Sequence, residues 1–564
     1  MHISRYALGL AVIVFGSLAL AQPKTMPDYS AIGVTEPGQG GTLTLSIADA
    51  PQTFLYYGAI DANHQTINLQ MFDALVEYNL ETYEIEPALA TSWEVSDDGL
   101  VWTFNLRQGV VWHDGEPFTA ADVKFTYEQI VMNPDTLAGD VTEFVVNGVA
   151  TQWNVIDDHT LEVVLPVASP VFLQTIRKPI MPRHKLLEFS IEGGAEPDEI
   201  NNAWSVDADP SDIVGTGAFR LVSYTPGQLV TLERNPDYWK EDASGNALPY
   251  LDSLRYLVVR GGEARTAQFL AGNIDVLNIS GAQFPDLRER ELAGEPIVTV
   301  RSAALFGSPP HLAFNFDAPD SELAEIFSNT EFRRAMEQAV DRERIIDVVY
   351  NGLASLPGTP TAPADGTFYR DTTGIMRSFD LEAAAAALAE LEIENLEFTL
   401  TYNQDSPVFT DIATILQNDF GQLGVQVNLQ GIPGNALFST ALSGDFDAIL
   451  VAFGNLPDPE LRRPIWQPGG DLYYWHTSLQ TDLSGMFAWE EEIYDLLELG
   501  ARTLDLDERV EIYGRWQEIN ADYLPVIMIA KGENIAAVRD NVGNFVYDLG
   551  VIPGYNPVIF YTAE

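Results

Sequence analysis

Strand-like and helix-like patterns alternate along this chain, and that alternation limits what it can fold into. Apolar and polar side chains alternate in residues 42–47, 102–106, 161–165 and 425–429. This period of two predicts strands with one buried face. Apolar side chains recur at helical spacing in residues 331–350, 381–391 and 408–423. Interleaved strands and helices predict an α/β protein with mixed sheets.

Polar residues mark where several of the predicted helices begin and end. Thr119 and Asp122 have the spacing of a capping box at the start of a helix. Thr330 and Asp380 precede the helical segments 331–350 and 381–391, so we expect them to be N-caps. Gly424 follows the third segment and suits the left-handed residue that ends many helices.

Composition excludes several classes of protein. The chain has 564 residues, which predicts more than one domain, and it carries 30 Lys and Arg against 82 Asp and Glu, a formal net charge of −52. Such a surface repels nucleic acid and anionic lipid headgroups. The charge is typical of adaptation to high external salt, and attraction of cationic ligands is the alternative.

The residues that carry most enzyme chemistry are absent or unsuitably spaced. There are no cysteines, which excludes disulfides, thiol catalysis, Cys-type zinc sites and lipidation on cysteine. None of the 7 histidines has the spacing of a helical metal pair, and the common hydrolase and phosphate-loop motifs are missing. We therefore expect no enzyme activity, no metal and no cofactor.

The first residues have the pattern of a secretory signal. A basic start at Arg5 is followed by a short apolar run from Tyr6 to Leu20 and by small residues up to Ala21. This pattern predicts a signal peptide over residues 1–21, cleaved after Ala21. The Pro- and Gly-rich residues 22–40 predict a flexible leader. We expect the mature protein to be periplasmic or secreted, and monomeric.

Four stretches carry a family resemblance, and they stand in a fixed order along the chain. Their most specific parts are Asp114-Gly115-Glu116-Pro117-Phe118-Thr119, Asn235-Pro236-Asp237-Tyr238-Trp239, Phe332-Arg333-Arg334-Ala335-Met336 and Asp507-Glu508-Arg509. With these motifs the chain resembles the extracytoplasmic solute-binding proteins of the peptide, nickel and opine class, family 5, which serve ABC importers. The motif residues suit turns and core packing, so they indicate the fold and not the ligand.

The resemblance implies a bilobal periplasmic-binding-protein fold with a hinge and an extra subdomain inserted in the first lobe. The implied ranges are 41–55, 206–302 and 527–564 for the first lobe, 56–205 for the inserted subdomain and 303–526 for the second lobe. The hinge segments would lie near 302–307 and 525–531. The implied function is capture of a peptide-like solute in the cleft between the lobes and its delivery to an ABC permease. An oligosaccharide ligand, or a chemoreceptor or adhesion role, is the alternative.

The same resemblance implies where the ligand binds. In peptide-binding members an Asp three residues before the acid of an acid-Pro pair holds the peptide amine. Here the pair is Asp458-Pro459 and the matching residue is Asn455, which has no charge. An Arg that grips the carboxylate in dipeptide-binding members has no counterpart in residues 402–407. An amine buried without a counter-charge costs several kcal/mol, so Asp405 or Asp458 would have to supply the anion, or the ligand is uncharged there.

Two groups of residues are therefore candidates for the ligand site. The first lies in the two stretches that the resemblance identifies and comprises Tyr402, Gln404, Asp405, Phe453, Gly454, Asn455 and Asp458. The second is Tyr474 and Trp475, which could form an aromatic platform for a sugar ring. Packing in the core is the other interpretation of these two rings.

Asn455 gives a direct test of this assignment. If its amide contacts the ligand, Asn455→Ala should weaken binding by about 1–2 kcal/mol and leave the melting temperature of the empty protein almost unchanged. If the ligand is a peptide, Asn455→Asp should bind it more tightly, because the new carboxylate pairs with the amine. Calorimetric titration of the variants measures both effects, and an unchanged affinity in Asn455→Ala would remove the residue from the site.

Overall fold

We describe the fold from a computed structural model. It describes residues 24–25, 40–59, 62–79, 84–137, 139, 141–302, 309–358, 366–393, 395–453, 456–545 and 557–562. The predicted signal peptide and most of the leader lie outside these residues. Within the leader, Lys24–Thr25 pairs in parallel with Lys240–Glu241, so this part of it is an ordered strand. No helix among the described residues has both the length and the apolar character needed to cross a bilayer.

The first lobe is built on two sheets. The larger has four strands in the order Phe219–Thr225, Leu229–Arg234, Ser253–Val258 and Thr42–Ile47. Its last pair is parallel and the others are antiparallel. The smaller sheet is antiparallel, with the order Val276–Asn278, Asn534–Arg539 and Ile297–Ser302. The second of these strands returns from the C-terminal part of the chain, so the first lobe is discontinuous in sequence.

The inserted subdomain has an antiparallel four-stranded sheet of its own. Its strands stand in the order Ala90–Val95, Val101–Leu106, Thr160–Val164 and Gln152–Asp157. Phe104 and Trp112 are buried, and Trp93 and Trp102 pack against the same core. All four rings therefore belong to the core or pack against it. That core continues into the first lobe without a break.

The second lobe is built on one five-stranded mixed sheet, the second-lobe sheet. Its order is Gln426–Ile432, Glu397–Asn403, Ala448–Val451, His311–Phe314 and Val526–Met528. The first three strands run parallel to one another, and His311–Phe314 runs opposite to both of its neighbours. The α/β character and the mixed sheets agree with the expected bilobal fold.

Helices cover the second lobe and lie beside the smaller first-lobe sheet. The longer ones are Gly262–Leu270, Phe284–Leu292, Ser321–Ser328, Thr330–Gln338, Arg342–Val349, Leu381–Glu390, Pro407–Gln422, Gly434–Ser443, Ala488–Gly500 and Leu506–Tyr523. The inserted subdomain carries shorter ones, including Ala120–Phe125 and Arg183–Leu186. The capping box of Thr119 and Asp122, the N-cap Asp380 and the left-handed Gly424 (φ +80°) are all confirmed.

The prediction of one helix over 331–350 is wrong, because the chain makes two. The Asn329 side chain caps the first by accepting from the Glu331 amide at 2.9 Å, so Thr330 is already helical. The Asp341 side chain caps the second through the Arg344 amide at 3.0 Å. A side chain that bonds the backbone in this way competes with helix continuation and starts a new helix instead.

Two chain crossings connect the smaller first-lobe sheet with the second-lobe sheet. Ser302 ends one strand of the former and His311 begins one of the latter, while Met528 and Asn534 bound the return crossing. Since Val526–Met528 pairs within the second-lobe sheet, this lobe extends past the predicted boundary at 527. The other domain boundaries stay a prediction.

The first two motif stretches meet inside the first lobe. The Asp73 carboxylate accepts from Thr216 Oγ1 (3.0 Å), Trp239 Nε1 (2.8 Å) and the Tyr238 hydroxyl (3.3 Å). The His113 ring accepts from the Gly215 amide at 3.0 Å and donates to the Gly217 carbonyl at 3.1 Å. Burial lowers the pKa of His113 to about 4, so the ring is neutral at pH 7. These residues hold the fold together.

Arg333, from the third motif stretch, holds the chain in place just before the strand that leads into the return crossing. Its fully buried guanidinium donates to the carbonyls of Phe327 (2.8 Å), Tyr523 (2.8 Å) and Leu524 (2.9 Å). Leu524 is the left-handed residue that ends the helix Leu506–Tyr523. Burial lowers the pKa of Arg333 to about 9, which still leaves it charged at pH 7.

Arg333→Met should therefore destabilise the protein strongly. It leaves three buried carbonyls without donors, at a cost of about 3 kcal/mol or more in the free energy of unfolding. Urea unfolding followed by tryptophan fluorescence measures the loss. Arg515→Met is the matched control, because Arg515 pairs with Glu492 at the surface and should cost less than about 1 kcal/mol. Equal losses in the two variants would contradict this role for Arg333.

Candidate functional site

Both chain crossings reach the second-lobe sheet at the same end of its strands. We call this end of the sheet the crossing edge. His311, Val451 and Met528 lie side by side there, because His311 pairs with both of the others. The parallel strands Glu397–Asn403, Gln426–Ile432 and Ala448–Val451 all end at this edge. Ligands of α/β proteins bind outside the carboxyl ends of such strands. The crossing edge therefore faces the other lobe and is the candidate ligand site.

Tyr402 lies near the end of the strand Glu397–Asn403 at the crossing edge, and Gln404 and Asp405 follow that strand directly. Tyr402 lies over Gly431 of the neighbouring strand, where an added Cβ would be 3.1 Å from the Tyr402 hydroxyl. The Gln404 and Asp405 side chains are exposed. One Asp405 oxygen accepts from the Gly434 amide at 2.9 Å, which ties this turn to the start of the helix Gly434–Ser443. These polar groups can hydrogen-bond a solute that enters the cleft.

Phe453 lies beside them, two residues after the strand Ala448–Val451. The ring is half-buried, and its centroid lies 5.4 Å from that of Tyr474 and 5.8 Å from that of His311. On the other side the Phe438 ring meets it edge to face at 6.0 Å. Gly454 and Asn455 lie outside the described residues, so their assignment to the site stays a prediction.

Asp458 belongs to a buried ion pair. Both of its carboxylate oxygens accept from the Arg509 guanidinium at 2.8 Å, and the two side chains are almost completely buried. One oxygen also caps a short helix through the Glu460 amide at 3.0 Å. A ligand amine would have to displace Arg509, which is costly in such surroundings. We therefore correct the assignment of Asp458 as a ligand anion.

Tyr474 and Trp475 do not offer a stacking surface in this structure. Their exposed fractions are 0% and 1%, and they pack on each other and on Phe453, Trp466 and Tyr473. The Tyr474 hydroxyl bonds His311 Nε2 at 2.7 Å. A sugar platform needs an open ring face, so the core interpretation replaces the platform interpretation for both residues.

A titratable group lies next to the Asp458 pair. Burial raises the pKa of Glu460 to about 7, although Arg463 and the Tyr513 hydroxyl oppose the shift. The Tyr513 hydroxyl donates to Glu460 at 3.1 Å, and Arg463 pairs with both Glu460 and Glu498. Arg463 is therefore held by local salt bridges.

Three residues of the inserted subdomain that the sequence did not point to form a group around Arg177. The Arg177 guanidinium lies 3.6 Å from the centre of the Tyr78 ring. Burial raises the pKa of Tyr78, Arg177 opposes this, and the Asp458 carboxylate adds to it. Burial also raises the pKa of Tyr56, again opposed by Arg177. Arg177 therefore brings Tyr56 and Tyr78 together, and no local sequence pattern connects positions so far apart.

The two lobes also touch farther out. Gly99, in a turn of the inserted subdomain, has no room for a side chain: an added Cβ would lie 2.9 Å from Leu504 of the second lobe and 3.2 Å from Ala168. The structure therefore has the lobes close together, with the crossing edge between them.

The ion pair of Asp458 predicts a structural role that can be separated from ligand binding. Asp458→Asn should cost about 3–5 kcal/mol in the free energy of unfolding, because Arg509 loses its buried counter-charge. Asp482→Asn is the matched control: Asp482 caps a similar short helix through the Ser484 amide at 3.0 Å but is exposed. Thermal unfolding compares the two. Similar melting temperatures, or loss of solute binding by folded Asp458→Asn alone, would contradict the assignment.

Comparisons with known proteins agree with this architecture. The model of the bacterial extracellular solute-binding proteins, family 5 Middle, matches residues 84–470. The periplasmic alpha-galactoside-binding protein of Rhizobium meliloti is 24% identical over 589 residues, covering 96% of this chain and 81% of that protein. Di/tripeptide-binding protein 1 of Pseudomonas aeruginosa is 26% identical over 509 residues, covering 86% of this chain and 87% of that protein.

A solved structure supports the fold over nearly the whole chain. The ABC transporter substrate-binding protein CtaP of Listeria monocytogenes superposes with a TM-score of 0.76 at 23% sequence identity, covering 93% of this chain and 100% of that one. Proteins of this kind bind solutes outside the cell for ABC transporters and are not enzymes. The chain therefore belongs to the bacterial extracellular solute-binding proteins of family 5.

Proposed function

We propose that this protein captures a peptide-like solute between its two lobes and delivers it to an ABC permease. One observation carries the proposal: both chain crossings enter the second-lobe sheet at the edge where Tyr402, Gln404, Asp405 and Phe453 lie. Rotation about those crossings changes the width of the cleft directly above these side chains. Hinged closure of this kind encloses a ligand and removes water from its polar contacts.

The side chains at the crossing edge suit a peptide. Gln404 can donate to and accept from a peptide bond, and Phe453 offers an apolar surface beside it. Asp405 is exposed and has an oxygen that can pair with an amine, whereas Asp458 is committed to Arg509. The di/tripeptide-binding relative of Pseudomonas aeruginosa adds support, since it matches most of both chains.

An oligosaccharide is the second candidate, and a specific residue favours it. Asn455 has no charge to pair with an amine, and amide side chains hydrogen-bond sugar hydroxyls well. The alpha-galactoside-binding relative is in keeping with this. Against it, Tyr474 and Trp475 have no free ring face. We rank the peptide first for that reason.

We also propose that the chain is exported with cleavage after Ala21 and acts as a monomer in the periplasm or outside the cell. With no cysteine to lipidate, retention near the membrane would need another mechanism. The closing of two lobes on one solute requires no second copy.

A thermal-shift panel on the mature protein tests the function, after unfolding and refolding have removed any co-purified solute. The panel contains di- to pentapeptides, raffinose-type, cello-, manno- and xylo-oligosaccharides, and Ni²⁺ with and without histidine. A ligand at 100 times its Kd stabilises by about 2.7 kcal/mol, a shift of a few degrees at this size. Shifts with peptides alone are the expected result. Shifts with sugars alone would contradict the peptide proposal, and loss of peptide uptake in a deletion strain would link binding to transport.

A further inference from the structure

One aromatic side chain at the crossing edge is left exposed. Phe438 is on the helix Gly434–Ser443, one turn after the helix starts at that edge, and its exposed fraction is 42%. Its neighbour Leu437 is buried in the second-lobe core. The helix therefore packs against the second-lobe core through Leu437 and does not need Phe438 for that contact. Leaving part of a large ring in water forfeits a share of the roughly 1.5–3 kcal/mol that full burial would give.

The exposed ring is the outer member of a continuous cluster of rings. Phe438 contacts Phe453 edge to face, and Phe453 in turn contacts Tyr474 and His311. Both His311 ring nitrogens have partners, Pro309 O at 3.2 Å and the Tyr474 hydroxyl at 2.7 Å. Burial keeps the pKa of His311 near 4, so the ring adds no charge. Among the described residues, this corner of the site has no charged side chain in ring contact with it.

The polar groups of the site lie on the neighbouring strand. Gln404 and Asp405 follow the strand Glu397–Asn403, and Asp405 accepts a hydrogen bond from the amide of Gly434, the first residue of the helix that carries Phe438. A solute lying across the crossing edge would meet hydrogen-bonding groups and an aromatic surface side by side. A peptide fits both, because its backbone is polar and its side chains are separate from it.

We propose that Phe438 and Phe453 form an apolar subsite that takes an aromatic or large aliphatic side chain of the bound peptide. This rests on the proposed function and narrows it to peptides that carry such a side chain. Closure of the lobes buries the exposed face of Phe438 against the solute. Aromatic pairs of this kind prefer edge-to-face or offset contacts, so Phe, Tyr, Leu and Met are the expected occupants.

The test compares two families of synthetic pentapeptide pools. In one family a single position is fixed as Phe and in the other as Ser, with the remaining positions mixed, and the fixed position is moved along the peptide. Each pool is titrated into the refolded mature protein and into Phe438→Ala, Phe438→Leu and Phe379→Ala. Phe379 is the matched control, because its exposed fraction is also 42% and it lies in the segment before the helix Leu381–Glu390.

The expected result has three parts. Wild type prefers the Phe pool at one position by about tenfold or more, the range that one large apolar group contributes in a pocket. Phe438→Ala loses about tenfold on that pool and less than twofold on the Ser pool, whereas Phe438→Leu retains most of the preference. Phe379→Ala behaves as wild type. Melting of the empty variants should change little, because both rings are exposed.

Other outcomes separate the subsite from the proposed function. In Phe438→Ala, an equal loss of affinity for the Phe and Ser pools, or no loss for either, would overturn the subsite. Both results would leave the proposal of peptide binding intact. If no peptide pool binds to wild type and an oligosaccharide does, the proposed function fails. An oligosaccharide affinity that Phe438→Ala leaves unchanged would then overturn the subsite as well.

Discussion

The position of the ligand site depends on how the strand Val526–Met528 is held in the second-lobe sheet. Two buried arginines bond the chain on either side of it. Arg333 donates to the carbonyls of Tyr523 and Leu524, and Arg342 donates to the carbonyl of Met528 at 2.8 Å. Arg342 is balanced by Glu337, which also pairs with Arg377. Because the strand lies beside His311–Phe314, fixing it places both crossings at one edge, and the cleft follows from that.

In this acidic chain, buried arginines connect segments that are far apart in the sequence. Acidic residues greatly outnumber basic ones, yet the buried guanidiniums are the groups that join distant segments: Arg333 and Arg342 at the return crossing and Arg509 on Asp458. An arginine makes several hydrogen bonds in a fixed plane, so it can satisfy carbonyls from more than one segment. The excess of acids stays largely at the surface, where water screens it.

Local features of the fold could be predicted from the sequence, and pairings over long distances could not. The capping residues Asp122 and Asp380 and the turn at Gly424 depend on neighbours within four residues, so their patterns were sufficient. The break before Arg342 was missed because the apolar stripe continues through it, whereas the Asp341 cap decides the structure. The motif residues Arg333 and Arg509 were identified, but their partners are 190 and 51 positions away, and nothing in the local pattern names them.

The same difference between local patterns and long-distance contacts explains which candidate site residues lie at the crossing edge and which lie in the core. Tyr402, Gln404, Asp405 and Phe453 lie in stretches that the family resemblance picks out from short local patterns. Asp458 and Tyr474 follow similar patterns, but burial, which depends on the whole lobe, assigns them to the core. Phe438 has no motif of its own, and its contact with Phe453 arises because a helix begins and a strand ends at one edge.

Hydrogen–deuterium exchange of the mature protein, with and without a saturating solute that raises its melting temperature, tests the central claim most directly. The account predicts slower exchange at residues 402–405, 434–438 and 529–533, because closure covers the crossing edge and holds the return crossing in one conformation. Unchanged exchange in all three segments, with protection elsewhere in the second lobe, would contradict the placement of the ligand site.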